Sequence, residues 1–235
     1  MSALSNLADK PVSLMGSGRT DAGVHATGQV ACADMPSSWT PESLQRSLNA
    51  ILPPEIWIQS SSIAHPDFHP RYDAIARTYQ YKVGIEPKAR SPFYARTCWT
   101  LEGQLDYELL EFGANKLLGE HSFEAFAKSG QPERGYLCII SQAHWSHSDL
   151  GFCFEITANR YLHHMVRYLV GTMVDIARVK RPKDDLQRLL SAEPDLITSP
   201  PAPPQGLFLV HVQYPEHIEF PQIPPSASSK SIANV

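Results

Sequence analysis

The segment GSGRTDAGVHATGQV, Gly16 to Val30, sets four glycines, one arginine and one aspartate within fifteen residues. Arg19 and Asp21 flank Thr20, so a glycine-bounded loop holds both side chains beside each other with little flexible-chain entropy to lose. A carboxylate mounted near a guanidinium stays ionised and is available as a nucleophile or a base. The competing chemistry for such a loop is a dinucleotide cradle, which needs GxGxxG after a strand and a helix packed against the third glycine. Here Asp21 occupies that third position, where it would repel pyrophosphate. The VHATGQV that follows carries β-branched residues and no amphipathic helical pattern. A nucleotide-dependent oxidoreductase is disfavoured on both counts. Asp21 as a plain turn residue stays open beside the catalytic reading.

The histidines invite a metal reading, which spacing argues against. His65 and His69 are four apart, but Pro66 and Pro70 forbid the helix that would align them. His163 and His164, if helical, point about 100° apart. His144 and His147 fall on opposite faces of an expected strand. No metal site and no cofactor is expected.

The elements that must position the loop follow from periodicity. PVSLMGSG reads as a strand entering the glycine turn, and TGQVACAD as a second. Thr40-Pro41 opens a helix through PESLQRSLNAIL, since proline at the first helical position has no N–H to leave unpaired. EIWIQSSSIA is apolar and β-favouring, hence a strand. In IARTYQYKV, Ile75, Arg77, Tyr79, Tyr81 and Val83 share one strand face, a surface suited to flat, anionic matter. LDYELLEFGANKLLG is a helix stopping at Gly119. YLCIISQAHWSH and GFCFEITAN form a strand pair around Ser148 to Gly151. RYLHHMVRYLVGTMVDIARV is the longest helix, KDDLQRLLSAE a short one, PAPPQG a stiff connector, and GLFLVHVQYP a final strand. Irregular alternation with several hairpins indicates an α+β fold with a largely antiparallel sheet flanked by helices.

The chain has 235 residues and a net charge of −4, which does not advertise nucleic-acid binding. The average hides a pattern. Six Lys/Arg lie between His65 and Arg96, seven between Arg160 and Arg188, and acid concentrates from Glu102 to Glu124. That polarity permits a basic face for phosphates. The four cysteines are scattered without a CxxC, which fits a reducing, cytoplasm-like compartment. No apolar run reaches membrane-spanning length, and MSALSNLADK lacks the pattern of a secretory signal.

GRTDAGVHATGQV resembles the active-site segment of the TruA family of tRNA pseudouridine synthases. FHPRYDAIARTYQYKV is similar to that family's second block, HHMVRYLVGTMVDIARV to its third, and GLFLVHVQYP to its C-terminal strand. The resemblance covers nearly the whole chain in the family's order. It implies isomerisation of uridine to pseudouridine in the tRNA anticodon stem-loop, at positions 38, 39 and 40, without cofactor or metal. It implies Asp21 as the catalytic carboxylate, by a route left open between attack on C1′, attack on C6 and ribose proton abstraction. By the same resemblance Arg19 helps extrude the target and fills its place, Tyr79 packs on the flipped uracil, Arg167 pairs with the carboxylate, and Leu207 walls the uracil pocket. Two ferredoxin-like-related halves and a homodimer with RNA crossing both subunits are implied too.

The expected organisation is an N-terminal half over residues 1–84 with the catalytic loop, a C-terminal half over 85–220, and a disordered tail over 221–235. The family's opening strand and helix, with Tyr-Asp-Gly and Gly-Trp-Gln stretches, have no counterpart ahead of Val12. A shortened first half is therefore expected, and with it an alternative: a truncated, catalytically impaired tRNA-binding protein of the same family.

Overall fold

The structure, a computed structural model, describes residues 2–128, 135–216 and 218. In chain order its elements are α1 (Ser2–Ala8), β1 (Leu14–Gly16), β2 (His25–Ala26), β3 (Ala31–Ala33), α2 (Pro41–Ile51), β4 (Ala76–Gly84), β5 (Trp99–Thr100), α3 (Tyr107–Asn115), β6 (Gly119–Ser122), β7 (Leu137–Ser148), β8 (Gly151–Ala158), α4 (Met165–Ala177), α5 (Asp185–Leu190) and β9 (Leu207–Gln213). The fold is α+β, with a mostly antiparallel sheet flanked by helices. No helix among the described residues is long and apolar enough to cross a membrane.

The chain divides into two compact units. The smaller comprises the described parts of Met1–Ser17, Ala31–Asp73 and Tyr214–Val235. It holds the antiparallel β1–β3 ribbon and a small core of Leu4, Val12 and Leu48. Thr40 and Ser43 close a capping box at the start of α2, each side chain taking the other's backbone N–H. The β-favouring run EIWIQSSSIA is not a strand in the structure. Its backbone is satisfied instead by α2: Asn49 exchanges two hydrogen bonds with Ile58, and Gln45 donates to the carbonyls of Ile58 and Gln59. Side-chain amides have taken the place of a ladder.

The larger unit comprises Gly18–Val30 and Ala74–Gln213 and holds a seven-stranded sheet in the order β2-β9-β4-β8-β7-β6, with β5 paired to β4. All pairings are antiparallel except β2–β9 and β4–β5. Its core joins Tyr81 and Val83 of β4, Trp145 of β7, Phe154 and Ile156 of β8, and Leu169, Val170 and Met173 of α4. Tyr81 donates its hydroxyl to Pro203 O at 2.6 Å, which satisfies the one polar atom of a fully buried ring.

Three elements differ from their sequence expectations. The strand expected over TGQVACAD is confined to β3, and β2, over His25–Ala26, was not expected, its two residues being too few to carry a period. The helix expected to stop at Gly119 ends at Asn115, and Gly119, at φ 96°, opens β6 instead. The longest helix begins at Met165, five residues after Arg160, because His164 stands in the left-handed region at φ 63° and breaks the helical path. The expected tail over 221–235 lies outside the described residues.

Candidate functional site

Asp21 opens a tight turn. The N–H of Val24 donates to Asp21 O at 3.0 Å, and Gly23 between them has φ 83°. A positive φ at the third residue of such a turn is what makes glycine the residue of choice there. The loop is then fastened to β9 by donation from Thr27 N and Gly28 N to Leu209 O, at 2.9 and 3.1 Å. The register of β9 slips here: Thr78 pairs with His211 and Tyr79 with Leu209, so Val210 is an extra residue. A bulge of this kind re-aims side chains beside it. Gly28 sits so close to that bulge that a Cβ would stand 2.1 Å from Val210 O. Two of the loop's glycines thus have defined tasks, a turn and a close approach, and the mount they form carries Asp21.

Around Asp21 the large unit gathers cationic and protonatable groups. Arg167 Nη1 is 3.9 Å from Asp21 Oδ2, His164 Nε2 is 2.9 Å from the same oxygen, and His163 Nε2 is 3.4 Å from Oδ1. Asp21 keeps about a third of its side chain exposed at 33%, whereas Arg167 is 12% exposed. Arg167 is therefore no surface helix cation. Its Nε donates to Ala202 O at 2.7 Å and its own carbonyl accepts from Ala202 N at 2.9 Å, so the proline-rich connector clamps it at both ends. Burial, followed by the adjacent Arg167, holds the His164 pKa below its usual value, although Asp21 opposes the shift.

Tyr79 is half-buried on β4, its ring edge-on to Tyr161 at 4.9 Å between centroids. Burial raises its phenol pKa, Arg77 works against that, and Asp21 adds to it, which keeps the hydroxyl protonated at neutral pH. Leu207 is buried in the core of the large unit, paired in register with Tyr81. Arg19 is exposed on the loop two residues before Asp21. The structure thus brings Asp21 and Arg167 together with Tyr79 in electrostatic reach, leaves Arg19 facing solvent, and sets Leu207 inside.

The histidine pair is the part that sequence spacing misread. His163 and His164 do not lie on the helix, and their rings stand 4.2 Å apart rather than diverging. With Asp21 they offer three ligand atoms within 4.8 Å of one another. Two imidazoles and a carboxylate are a set that transition metals accept. Arg167 argues for a different use. Its guanidinium already shares the Asp21 oxygen and lies 3.4 Å from His164 Nε2, so a divalent ion would be placed against a fixed cation.

Comparison with known proteins gives a consistent result. The family described as tRNA pseudouridine synthase matches residues 2–73 and 114–215, spans that include Asp21, Arg167 and Leu207 but not Tyr79. A protein of Bacteroides thetaiotaomicron named tRNA pseudouridine synthase A is 36% identical over 221 residues, which is 93% of this chain and 81% of that protein. Proteins of the same name from Methylacidiphilum infernorum and Chlamydia trachomatis are 32% and 35% identical, over 91% and 90% of this chain and 84% and 80% of their own.

Proposed function

Because the chain belongs to the tRNA pseudouridine synthase family, and is an isomerase of that family, we propose that it converts uridine to pseudouridine in the tRNA anticodon stem-loop, at positions 38, 39 and 40, with Asp21 as the reacting carboxylate. The observation that carries this reading is the meeting of a loop-mounted, one-third-exposed Asp21 with the clamped guanidinium of Arg167.

The reaction breaks the N1–C1′ bond and joins C5 to C1′; C5 loses a proton and N1 gains one. Composition is unchanged and nothing is oxidised or reduced, so the balance calls for no cofactor. What it does require is a charged carboxylate against a nucleotide taken out of its stack. Extrusion costs a few kcal/mol of unstacking. Arg19, exposed beside the loop, fills the vacated place with a planar cation. Tyr79 supplies a ring on which uracil turns over, since stacking tolerates rotation. Arg167 keeps Asp21 charged as substrate excludes water. Leu207 closes the apolar side. The acting form is a homodimer, which sedimentation in solution checks. The four free thiols fit a reducing, cytoplasm-like compartment.

A second reading, a tRNA-binding member with impaired catalysis, draws support from the β1–β3 ribbon, where Leu14 and Met15 are 42% and 40% exposed. Incubation with unmodified tRNA and mapping of pseudouridine separates the two. Product in the anticodon arm supports the first, and salt-sensitive binding without product supports the second.

A further inference from the structure

His164 has no task in the reaction as laid out above, yet it makes the shortest contact to Asp21, 2.9 Å from Nε2 to Oδ2, and its side chain is only 15% exposed. Its backbone is held at φ 63°, a conformation that side-chain-bearing residues adopt rarely and that surroundings must over-determine. A neutral imidazole has one N–H and one acceptor nitrogen. Here Nε2 faces a carboxylate oxygen at 2.9 Å and Arg167 Nη1, which can only donate, at 3.4 Å. The shorter distance and the charge on the acceptor put the proton on Nε2.

We propose that His164 is a positioning residue: its Nε2–H holds Asp21 Oδ2 and fixes the rotation of the carboxylate, leaving Oδ1 as the oxygen turned to the target nucleotide. The inference rests on the reading of Asp21 as the reacting group. Oδ2 is engaged by His164 and Arg167, whereas among the described residues Oδ1 meets only the longer 3.4 Å contact from His163, a side chain 56% exposed and able to yield to RNA. Among the described residues, the charged or titratable groups facing His164 are Asp21, Arg167, His163 and Lys128, with the Tyr168 ring at 6.4 Å between centroids. Burial and the three basic neighbours keep the imidazole neutral at pH 7, and only Asp21 works the other way. Protonation would set an imidazolium against Asp21 and draw its negative charge into an ion pair. Activity that depends on neutral His164 is therefore present above the ordinary histidine value near 6.5 and is lost as pH falls through the lowered one.

The test compares wild type, Asp21→Asn, His164→Gly and His164→Gln on unmodified tRNA. Glycine takes φ 63° without strain, and glutamine can bring an amide N–H near the place of Nε2. Expected are a kcat loss of about 10²-fold in His164→Gly, the scale of a misplaced reacting group, unchanged tRNA affinity, and at least partial recovery in His164→Gln. The acid limb of the wild-type kcat profile is lost in His164→Gln. Wild-type kcat in folded His164→Gly, a loss confined to tRNA affinity, or equal inactivity of both His164 variants would overturn the inference. Should the glycine variant not fold, His164→Gln decides: a vanished acid limb with kcat retained supports the proposal, and an unchanged limb refutes it. Inactive Asp21→Asn beside fully active His164→Gly sinks the His164 inference alone; active Asp21→Asn sinks the reading of Asp21 with it.

Discussion

Asp21 and Arg167 come within 3.9 Å of each other although far apart in sequence, one at the start of the turn in a glycine-rich loop and the other on the first turn of α4. Neither partner is free to drift. The loop is fastened to the β9 bulge and Arg167 is clamped by Ala202, so the pair is set before any substrate arrives. Preorganisation of this kind is where enzymes gain most of their electrostatic advantage.

Gly28 is the first place to disturb that mount. A methyl group there stands 2.1 Å from Val210 O, a backbone atom that cannot swing aside. Gly28→Ala should part the loop from β9 and lower kcat by about 10²-fold through misplacement of Asp21, with a smaller effect on the melting of the sheet. Steady-state kinetics and a thermal melt check the two effects separately.

The parts legible in the sequence were those written in local pattern. Alternation along IARTYQYKV marked β4 and Thr40-Pro41 marked the start of α2, whereas a meeting of Asp21 with Arg167 was implied only by the resemblance of GRTDAG and HHMVR to the family's blocks. What escaped depended on long-range structure. The run EIWIQSSSIA has strand propensity, but the amides of Gln45 and Asn49 meet its backbone before any strand does. His163 and His164 read as a diverging helical pair because nothing local announces that His164 takes φ 63°. The β9 bulge that receives the Asp21 loop is a relation between two strands and a loop, and no single segment encodes it.

Tyr79 is expected to act through its ring. Tyr79→Ala should weaken binding of the tRNA target by roughly 1–3 kcal/mol, the worth of one stacked base. Tyr79→Phe should retain that affinity. Titration of each variant with unmodified tRNA at fixed salt reads the difference, and equal affinities for the two variants would remove the stacking role.

Asp185 tests stability away from the site. Its carboxylate is 5% exposed and accepts from Arg181 at 3.0 Å and Arg188 at 2.9 Å. Asp185→Asn leaves the Arg181 guanidinium without its counter-charge, while Arg188 keeps Glu193. The expected loss is about 3 kcal/mol, the low end for a broken buried pair, since Arg188 is 43% exposed and partly solvated. Urea unfolding measures it, with kcat unchanged under native conditions.

Cys138 and Cys153 should be poor nucleophiles while the protein is folded. Burial pushes both thiols up to about 11, against the lesser pull of Arg160 and Lys82. The thiolate is the reactive form, so at pH 8 both stay protonated, and alkylation should accelerate only as pH approaches 11 or when urea opens the core. Mass mapping of alkylated cysteines at pH 8, with and without urea, checks this.

The most direct measurement is pseudouridine formation in unmodified tRNA by wild type and Asp21→Asn, with tRNA binding followed in parallel. The neutral amide keeps nearly the shape of the carboxylate and removes its charge. Expected is pseudouridine in the anticodon arm with wild type and none with Asp21→Asn, at comparable tRNA affinity. Equal product from the two proteins would contradict the assignment of Asp21 as the reacting group.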